Sequence, residues 1–175
     1  SNVAQGNCFV LSTAAAGTTF PLSSGTAMTF GIWNITTDKA AVLLYLNAGF
    51  TSGTIALGEI GLTDLTTPSF SIATGGPITA FTDAVMGATV RNAQWGLGGP
   101  ACRATPSGAT ITASTAAYWI GSSVEGATGV GPRSNISYDF NGTAVILPGH
   151  AAFVTGSIAQ TALYSMSMIW QEVPY

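Results

Sequence analysis

The sequence predicts an all-β protein: an antiparallel β-sandwich of jelly-roll type with eight to ten strands, little helix, and one domain over residues 1–175. Short runs of β-branched, aromatic and aliphatic residues alternate with Gly, Pro and Asn turns along the whole chain. Only residues 82–87 have the N-cap chemistry of a short helix. Many short strands without helices are typical of sandwiches and jelly rolls.

The clearest local signal is a hairpin near the C-terminus, where residues 134–140 and 143–147 flank Asn141-Gly142. Asn-Gly is the preferred pair for a two-residue type I′ turn, since both positions require positive φ. Such a turn would pair Phe140 with Thr143. Alternation then predicts one apolar face with these members: Ile136, Tyr138, Phe140, Val145 and Leu147.

Further strand candidates precede and follow this hairpin. Residues 40–46 are apolar without alternation, which predicts a strand covered on both faces, with a buried helix as the alternative. Residues 63–68 have turn chemistry. The other predicted strands are residues 7–11, 28–33, 53–57, 70–72, 109–112, 115–120 and 150–154.

Residues 161–170 predict the last strand, with a helix as the alternative because Met and Leu favour helices. On a strand, alternation places the large residues Tyr164, Met166, Met168 and Trp170 on one face. This face is expected either to fill the core or to contact another subunit.

Charge is sparse: only 6% of residues are charged, against about 25% in an ordinary soluble protein. Ser, Thr, Asn, Gly and Ala must therefore cover most of the surface. Because interspersed charge keeps monomers apart, we expect much of this surface to be covered by copies of the chain or by a partner. An extracellular monomer rich in Ser and Thr is the alternative.

Several functional classes are disfavoured. Four scattered basic residues cannot neutralise a phosphate backbone, and no apolar run reaches the length of a membrane span. His150 is the single histidine, next to a Pro-Gly turn, and no nucleophile elbow or phosphate loop occurs. No motif brings together two of the carboxylates that a glycosidase would need, the candidates being Glu59, Asp64, Glu125 and Glu172. We expect no enzyme activity, cofactor or metal.

Cys8 and Cys102 are the only cysteines. They could form one disulfide, worth about 4 kcal/mol in the chain-entropy model, or remain two small buried hydrophobic side chains. Three glycosylation sequons begin at Asn34, Asn135 and Asn141, but several are expected by chance in a chain so rich in Ser and Thr.

The tryptophans are the last candidate site, since exposed aromatic rings stack on sugars. Core packing is the default for Trp33, Trp119 and Trp170 in strands. Trp95 lies in a Gly-rich loop and is the candidate for an exposed or interface position.

Residues 146–154 and 168–174 together resemble the C-terminal part of small jelly-roll proteins on virus and phage particles, the capsid decoration or cement type. The shared pattern is an apolar strand, a Pro-Gly turn, an Ala-rich strand and a final strand ending in Trp-x-Glu-x-Pro. TNF- and C1q-like trimeric modules are similar in architecture. The resemblance covers about thirty residues and carries no catalytic residues.

This resemblance implies a structural protein on a virion surface, a homotrimer that binds the capsid shell protein. One alternative is an extracellular carbohydrate-binding or adhesive sandwich, whose partner would be a glycan. Another is a subunit of an extracellular filament, or the shell protein itself.

Overall fold

A computed structural model of the chain describes residues 6–66, 77–94, 97–112, 117–122 and 135–175. Within these ranges the structure contains strands and no helix, which confirms the all-β prediction. Thirteen strands are present rather than eight to ten, because six of them have only two to four residues. They are β1 Cys8–Ser12, β2 Ala27–Met28, β3 Gly31–Trp33, β4 Lys39–Ser52, β5 Glu59–Thr66, β6 Ile78–Phe81, β7 Val90–Asn92, β8 Arg103–Thr105, β9 Ala109–Ile111, β10 Ala117–Ser122, β11 Asn135–Ile146, β12 His150–Gly156 and β13 Leu163–Pro174.

The strands form three antiparallel sheets. Sheet A has the order β11-β4-β13-β1-β7, sheet B has the order β10-β5-β12-β3-β8, and sheet C is the small sheet β2-β9-β6. Eight strands pair from the ends of the chain inwards: β1 with β13, β3 with β12, β4 with β11 and β5 with β10. Successive pairs lie alternately in sheet A and sheet B.

The main core lies between sheets A and B. Leu11, Leu43 and Met168 from sheet A belong to one buried cluster with Ile32 and Val154 from sheet B. Burying an aliphatic side chain of this size stabilises the fold by about 1.5 to 3 kcal/mol, so this cluster is the main source of stability.

A second, smaller core covers the other face of sheet B. Trp33 and Phe153 of sheet B are buried there with Met28, Ile78 and Ile111 of sheet C. Because alternate residues of β12 enter different cores, all of its residues from Ala151 to Gly156 are buried. Strands β3 and β12 of sheet B are therefore covered on both faces by their own chain.

The predicted hairpin is wrong, although its turn residues have the expected backbone conformation. Asn141 and Gly142 have φ of 48° and 72°, but the chain does not reverse. Both halves of β11 pair with β4, and residues 140–143 form a wide bulge between the pairs Asp139–Tyr45 and Ala144–Leu43. The 14-residue β4 is long enough to pair with both halves of β11, whereas in a hairpin only one half could pair with it.

The bulge also changes which residues face the core. Phe140 is buried as predicted, and Ile136 is buried with it. Beyond the bulge the orientation is reversed: Ile146 is buried, whereas Val145 and Leu147 are 45% and 37% exposed. The predicted apolar face is therefore correct for its first half and wrong for its second.

Two other local predictions are wrong. Residues 82–87 form an irregular loop instead of a helix, and Val85 and Met86 are exposed there, so no apolar face stabilises a helix this short. Residues 53–57 lie outside the strands, whereas β5 occupies most of the predicted turn at 63–68. Pairing with β10 and β12 overrides the turn propensity of Thr63 and Asp64. The predicted strand at 70–72 lies outside the described residues.

Candidate functional site

The outer face of sheet A is a regular surface of five strands that no other described strand covers. Its side chains alternate with the core residues of β1, β4, β11 and β13. Half-buried Val10, Val42, Tyr45 and Ile169 form its apolar centre. Beside this centre lies a small polar row in cross-strand register: Ser137, Asn47, Ser167 and Ser12.

One cross-strand row runs over all five strands of this face. Asp139 pairs with Tyr45, Tyr45 with Ile169, Ile169 with Val10, and Val10 with Arg91. Directly paired residues share a face, so the row begins at an exposed acid on the β11 edge and ends at an exposed base on the β7 edge. Four strand spacings separate the two ends by about 19 Å. Neither charge forms an ion pair with another described residue.

The edge of the sandwich formed by β10 and β11 is aromatic. Tyr118 and Trp119 are 52% and 44% exposed. The hydroxyl groups of Tyr118 and Tyr138 lie 3.1 Å apart and connect the two sheets at this edge. This hydrogen bond raises the pKa of Tyr138, because it favours the neutral phenol.

The opposite edge, formed by β7 and β8, is concave. A cavity of about 320 Å³ opens beside Arg91 on the outer face of sheet A, lined also by Val10 and Ser12. A second cavity of about 290 Å³ lies between β7 and β8, with Met86 and Cys102 in its wall. The two edges of the sandwich thus differ in both shape and charge.

Glu172 is the one charged residue that is buried in the described part of the chain. Its Oε1 accepts a hydrogen bond from the backbone N–H of Cys102 (2.9 Å), and its Oε2 accepts one from Ala101 (3.0 Å). Lys39 Nζ lies 3.8 Å from Oε2. The carboxylate connects the end of β13 to the segment before β8, which is a structural role.

The other carboxylates proposed for glycoside hydrolysis do not form a pair with it. Glu59 is exposed, and Glu125 lies outside the described residues. Asp64 instead contacts the single histidine, with 3.0 Å between its Oδ1 and Nδ1 of His150. Both side chains are partly solvated, at 69% and 30% exposure, so this is a surface polar pair.

Cys8 and Cys102 are free thiols, both buried. Burial raises the pKa of both, and the negative charge of Glu172 adds to the effect at Cys102. The structure thus contains two buried thiols in place of the candidate disulfide. Among the described residues no cluster of His, Cys, Asp or Glu could hold a metal ion, and no helix is long and apolar enough to span a membrane.

The large-residue face of the last strand lies in the core. Tyr164, Met166, Met168 and Trp170 are each at most 2% exposed. Their cross-strand partners include Leu46, Ala48 and Phe9, and Phe9 packs on Trp170 with ring centroids 5.6 Å apart. This face therefore points away from any neighbouring subunit.

Trp95, the predicted exposed aromatic, lies outside the described residues. Trp33 and Trp170 are buried, whereas Trp119 is exposed on the β10 edge. Sequence reasoning treated Trp119 as a core residue. Its neighbour Tyr118 was a usable signal, because two consecutive aromatic residues on a strand point to opposite faces.

Comparison with known proteins adds no relative. No protein-family model, curated protein or solved structure matches the chain. Its functional assignment therefore depends on its own surfaces.

Proposed function

We propose that the chain is a non-enzymatic structural protein of a virus particle, a capsid decoration protein that stabilises the shell through contacts with its own copies and with the shell protein. The observation that carries this proposal is the outer face of sheet A. It is a surface of five strands with small polar and apolar residues, and its charges lie at the two edges. Charge-poor surfaces of this kind suit permanent association.

The nested strand pairing supports the same proposal. Eight strands that pair first with last and then successively inwards, over two facing sheets, have the pattern expected of a jelly roll. We propose this winding for the chain. Jelly rolls occur in capsid and related virion proteins, which agrees with the resemblance of residues 146–154 and 168–174.

Three measurements test the proposal. The full chain should be an oligomer, most simply a trimer, at micromolar concentration in analytical ultracentrifugation. Immunogold labelling of particles from the native source should place it on the capsid surface, and stripping it should lower the temperature at which the shell opens. A stable monomer together with unlabelled particles contradicts the proposal. Labelled fibres would instead identify a filament subunit.

A carbohydrate-binding protein is the second candidate, and the aromatic β10 edge is the observation that favours it. Tyr118 and Trp119 offer two exposed rings of the kind that stack on sugars. A glycan array should then give hits that the variant W119A loses. Binding retained in W119A, or an array without hits, excludes this edge as a glycan site.

A further inference from the structure

We infer that the β11 edge of one copy docks head to tail on the β1–β7 side of the next copy, with Asp139 of the first placed against Arg91 of the second. The inference deepens the proposed function, because it rests on contact between copies and names the surfaces that make it. The occupant of the concave edge is a second copy of this chain.

The first argument is charge complementarity. Asp139 and Arg91 end the same cross-strand row, about 19 Å apart, so they cannot reach each other within one copy. Each is exposed, and neither has an ion-pair partner in the described residues. Rotating one copy and placing its β11 edge beside the β7 edge of another brings opposite charges together. An arrangement of two identical edges would instead bring like charges together.

The second argument is complementary shape. Tyr118 and Trp119 are exposed on opposite faces of the edge strand β10, and Tyr118 is held by its contact with Tyr138. The opposite edge carries the two cavities, one of them lined by Arg91 itself. Both cavities have apolar residues in their walls, Val10 in one and Met86 in the other, and aromatic side chains that enter such cavities are typical anchors of protein interfaces. The acid lies on the edge with the exposed rings, and the base lies on the edge with the cavities.

The third argument is the apolar and small polar character of the surface between Asp139 and Arg91. Val10, Ile169 and Tyr45 separate the two ends of the row, and small Ser and Asn side chains flank them. A partner with many charges would find few groups to pair with on this face. A second copy of the same charge-poor chain has few charged groups to remove from water when it covers this face. Because the contact joins two different surfaces, it closes into a ring such as the proposed trimer, or it extends into a filament.

Charge reversal tests the inference. In the full chain, R91E and D139R should each weaken self-association by about tenfold or more, since each places like charges together. The double variant R91E/D139R restores opposite charges at every contact and should associate within about threefold of wild type. Sedimentation measures the association, and circular dichroism with the unfolding midpoint checks that each variant is folded. Unchanged association in both single variants overturns the inference.

A mixture of R91E and D139R copies tests whether the contacts close into a ring with an odd number of copies. Each favourable contact in the mixture joins two different variants, so an odd ring cannot be completed. A trimer-forming protein should therefore give mixed pairs, whereas the double variant alone gives trimers. A mixture that recovers no association at all contradicts direct contact between the two sites.

Chemical cross-linking provides a test that keeps both charges and does not disturb the bulge, where Asp139 Oδ1 accepts the backbone N–H of Asn141. Lys39 is the only lysine, so the variant K39R/R91K has its single lysine side chain at the docking position. A water-soluble carbodiimide should condense this amine with the carboxylate at position 139 of the next copy, forming an amide with loss of water. Covalent multimers should appear on a denaturing gel and disappear in K39R/R91K/D139N.

The possible results of these experiments distinguish a failure of the docking inference from a failure of the proposed virion function. An oligomer whose size and cross-linking do not depend on positions 91 and 139 overturns the docking surfaces and leaves the virion function standing. A protein that associates through these positions but is absent from particles keeps the docking surfaces and overturns the virion function. Monomeric wild type without cross-links overturns the inference directly.

Discussion

Glu172 accepts a hydrogen bond from the backbone N–H of Cys102, although the two residues are 70 positions apart in the chain. This contact connects the end of β13 to the entrance of β8, and so joins sheet A to sheet B at one end of the sandwich. The carboxylate is 4% exposed, and two backbone donors supply most of the interactions that replace its lost hydration.

Replacing Glu172 should therefore destabilise the fold. E172A leaves the N–H of Cys102 without an acceptor, and we expect a loss of about 2 to 3 kcal/mol in the free energy of unfolding, measured by urea titration. E172Q retains one acceptor oxygen and should lose about 1 kcal/mol. E59Q alters an exposed carboxylate and is the matched control, expected within about 0.5 kcal/mol of wild type. Equal stability of E172A and E59Q would show that the contact contributes nothing.

The two thiols should be unreactive in the folded protein. Cys8 and Cys102 are 2% and 3% exposed, and burial raises the pKa of both, so the reactive thiolate is scarce at neutral pH. An aromatic disulfide reagent at about pH 8 should label neither thiol in the native chain and both in denaturant. Rapid labelling of one thiol without unfolding would contradict their burial.

The same shift predicts a pH dependence of stability. A thiol whose folded pKa is raised contributes stability that is complete below the unfolded pKa of about 8.5 and is lost as pH rises towards the folded pKa. The free energy of unfolding should thus fall between about pH 8 and 9.5, below the ordinary tyrosine pKa of about 10. The variant C8A/C102A should show a flatter profile over this interval.

Local patterns, alternation in residues 161–170 and an apolar run in residues 40–46, identified two strands that carry the main core, whereas the pairing of those strands depended on distant residues. Trp170 and Met168 could be assigned to one face because period two is a local property. The outcome at Asn141-Gly142 could not be predicted, because the same positive φ values fit a hairpin turn and a bulge. Whether the chain reverses depends on β4, which lies about ninety residues earlier.

The candidate site was less accessible to sequence reasoning than the core. The row from Asp139 to Arg91 exists only through four strand registers, and each register is set by contacts between distant segments. Composition alone predicted that the surface would be poor in charge. It could not show that two of the few charges end one row.

Arg103 should stabilise the smaller core through stacking. Its guanidinium carbon lies 5.0 Å from the ring centre of Trp33 and 4.8 Å from that of Phe81, and it donates two hydrogen bonds to Asp83 at 2.7 and 2.8 Å. R103K keeps the charge but loses the planar fork, and we expect a loss of about 1 to 2 kcal/mol in urea unfolding. D83N should lose less, about 0.5 kcal/mol, since Asp83 is 55% exposed.

The control for this prediction is R91K, which makes the same exchange at an exposed position without an ion-pair partner in the described residues and keeps the positive charge proposed to face Asp139 of the next copy. It should unfold within about 0.5 kcal/mol of wild type. If R103K and R91K unfold at the same urea concentration, the stacked guanidinium does not stabilise the smaller core.

Gly31 should tolerate no side chain, because β3 and β12 approach closely at this position. A Cβ atom there would contact the carbonyl oxygen of Ala152 and the ring and Cα of Phe153. Backbone atoms cannot move aside without breaking the pairing of Phe153 with Gly31, so G31A should lose at least about 3 kcal/mol or fail to fold. The added variant F153L removes the ring but not the carbonyl, and G31A/F153L should therefore not recover the stability lost in G31A.

G108A is the matched control, since a Cβ at Gly108 meets no atom within 4 Å, and it should unfold close to wild type. Soluble yield and the unfolding midpoint measure both variants, and a G31A protein as stable as G108A would contradict the close approach of β3 to β12.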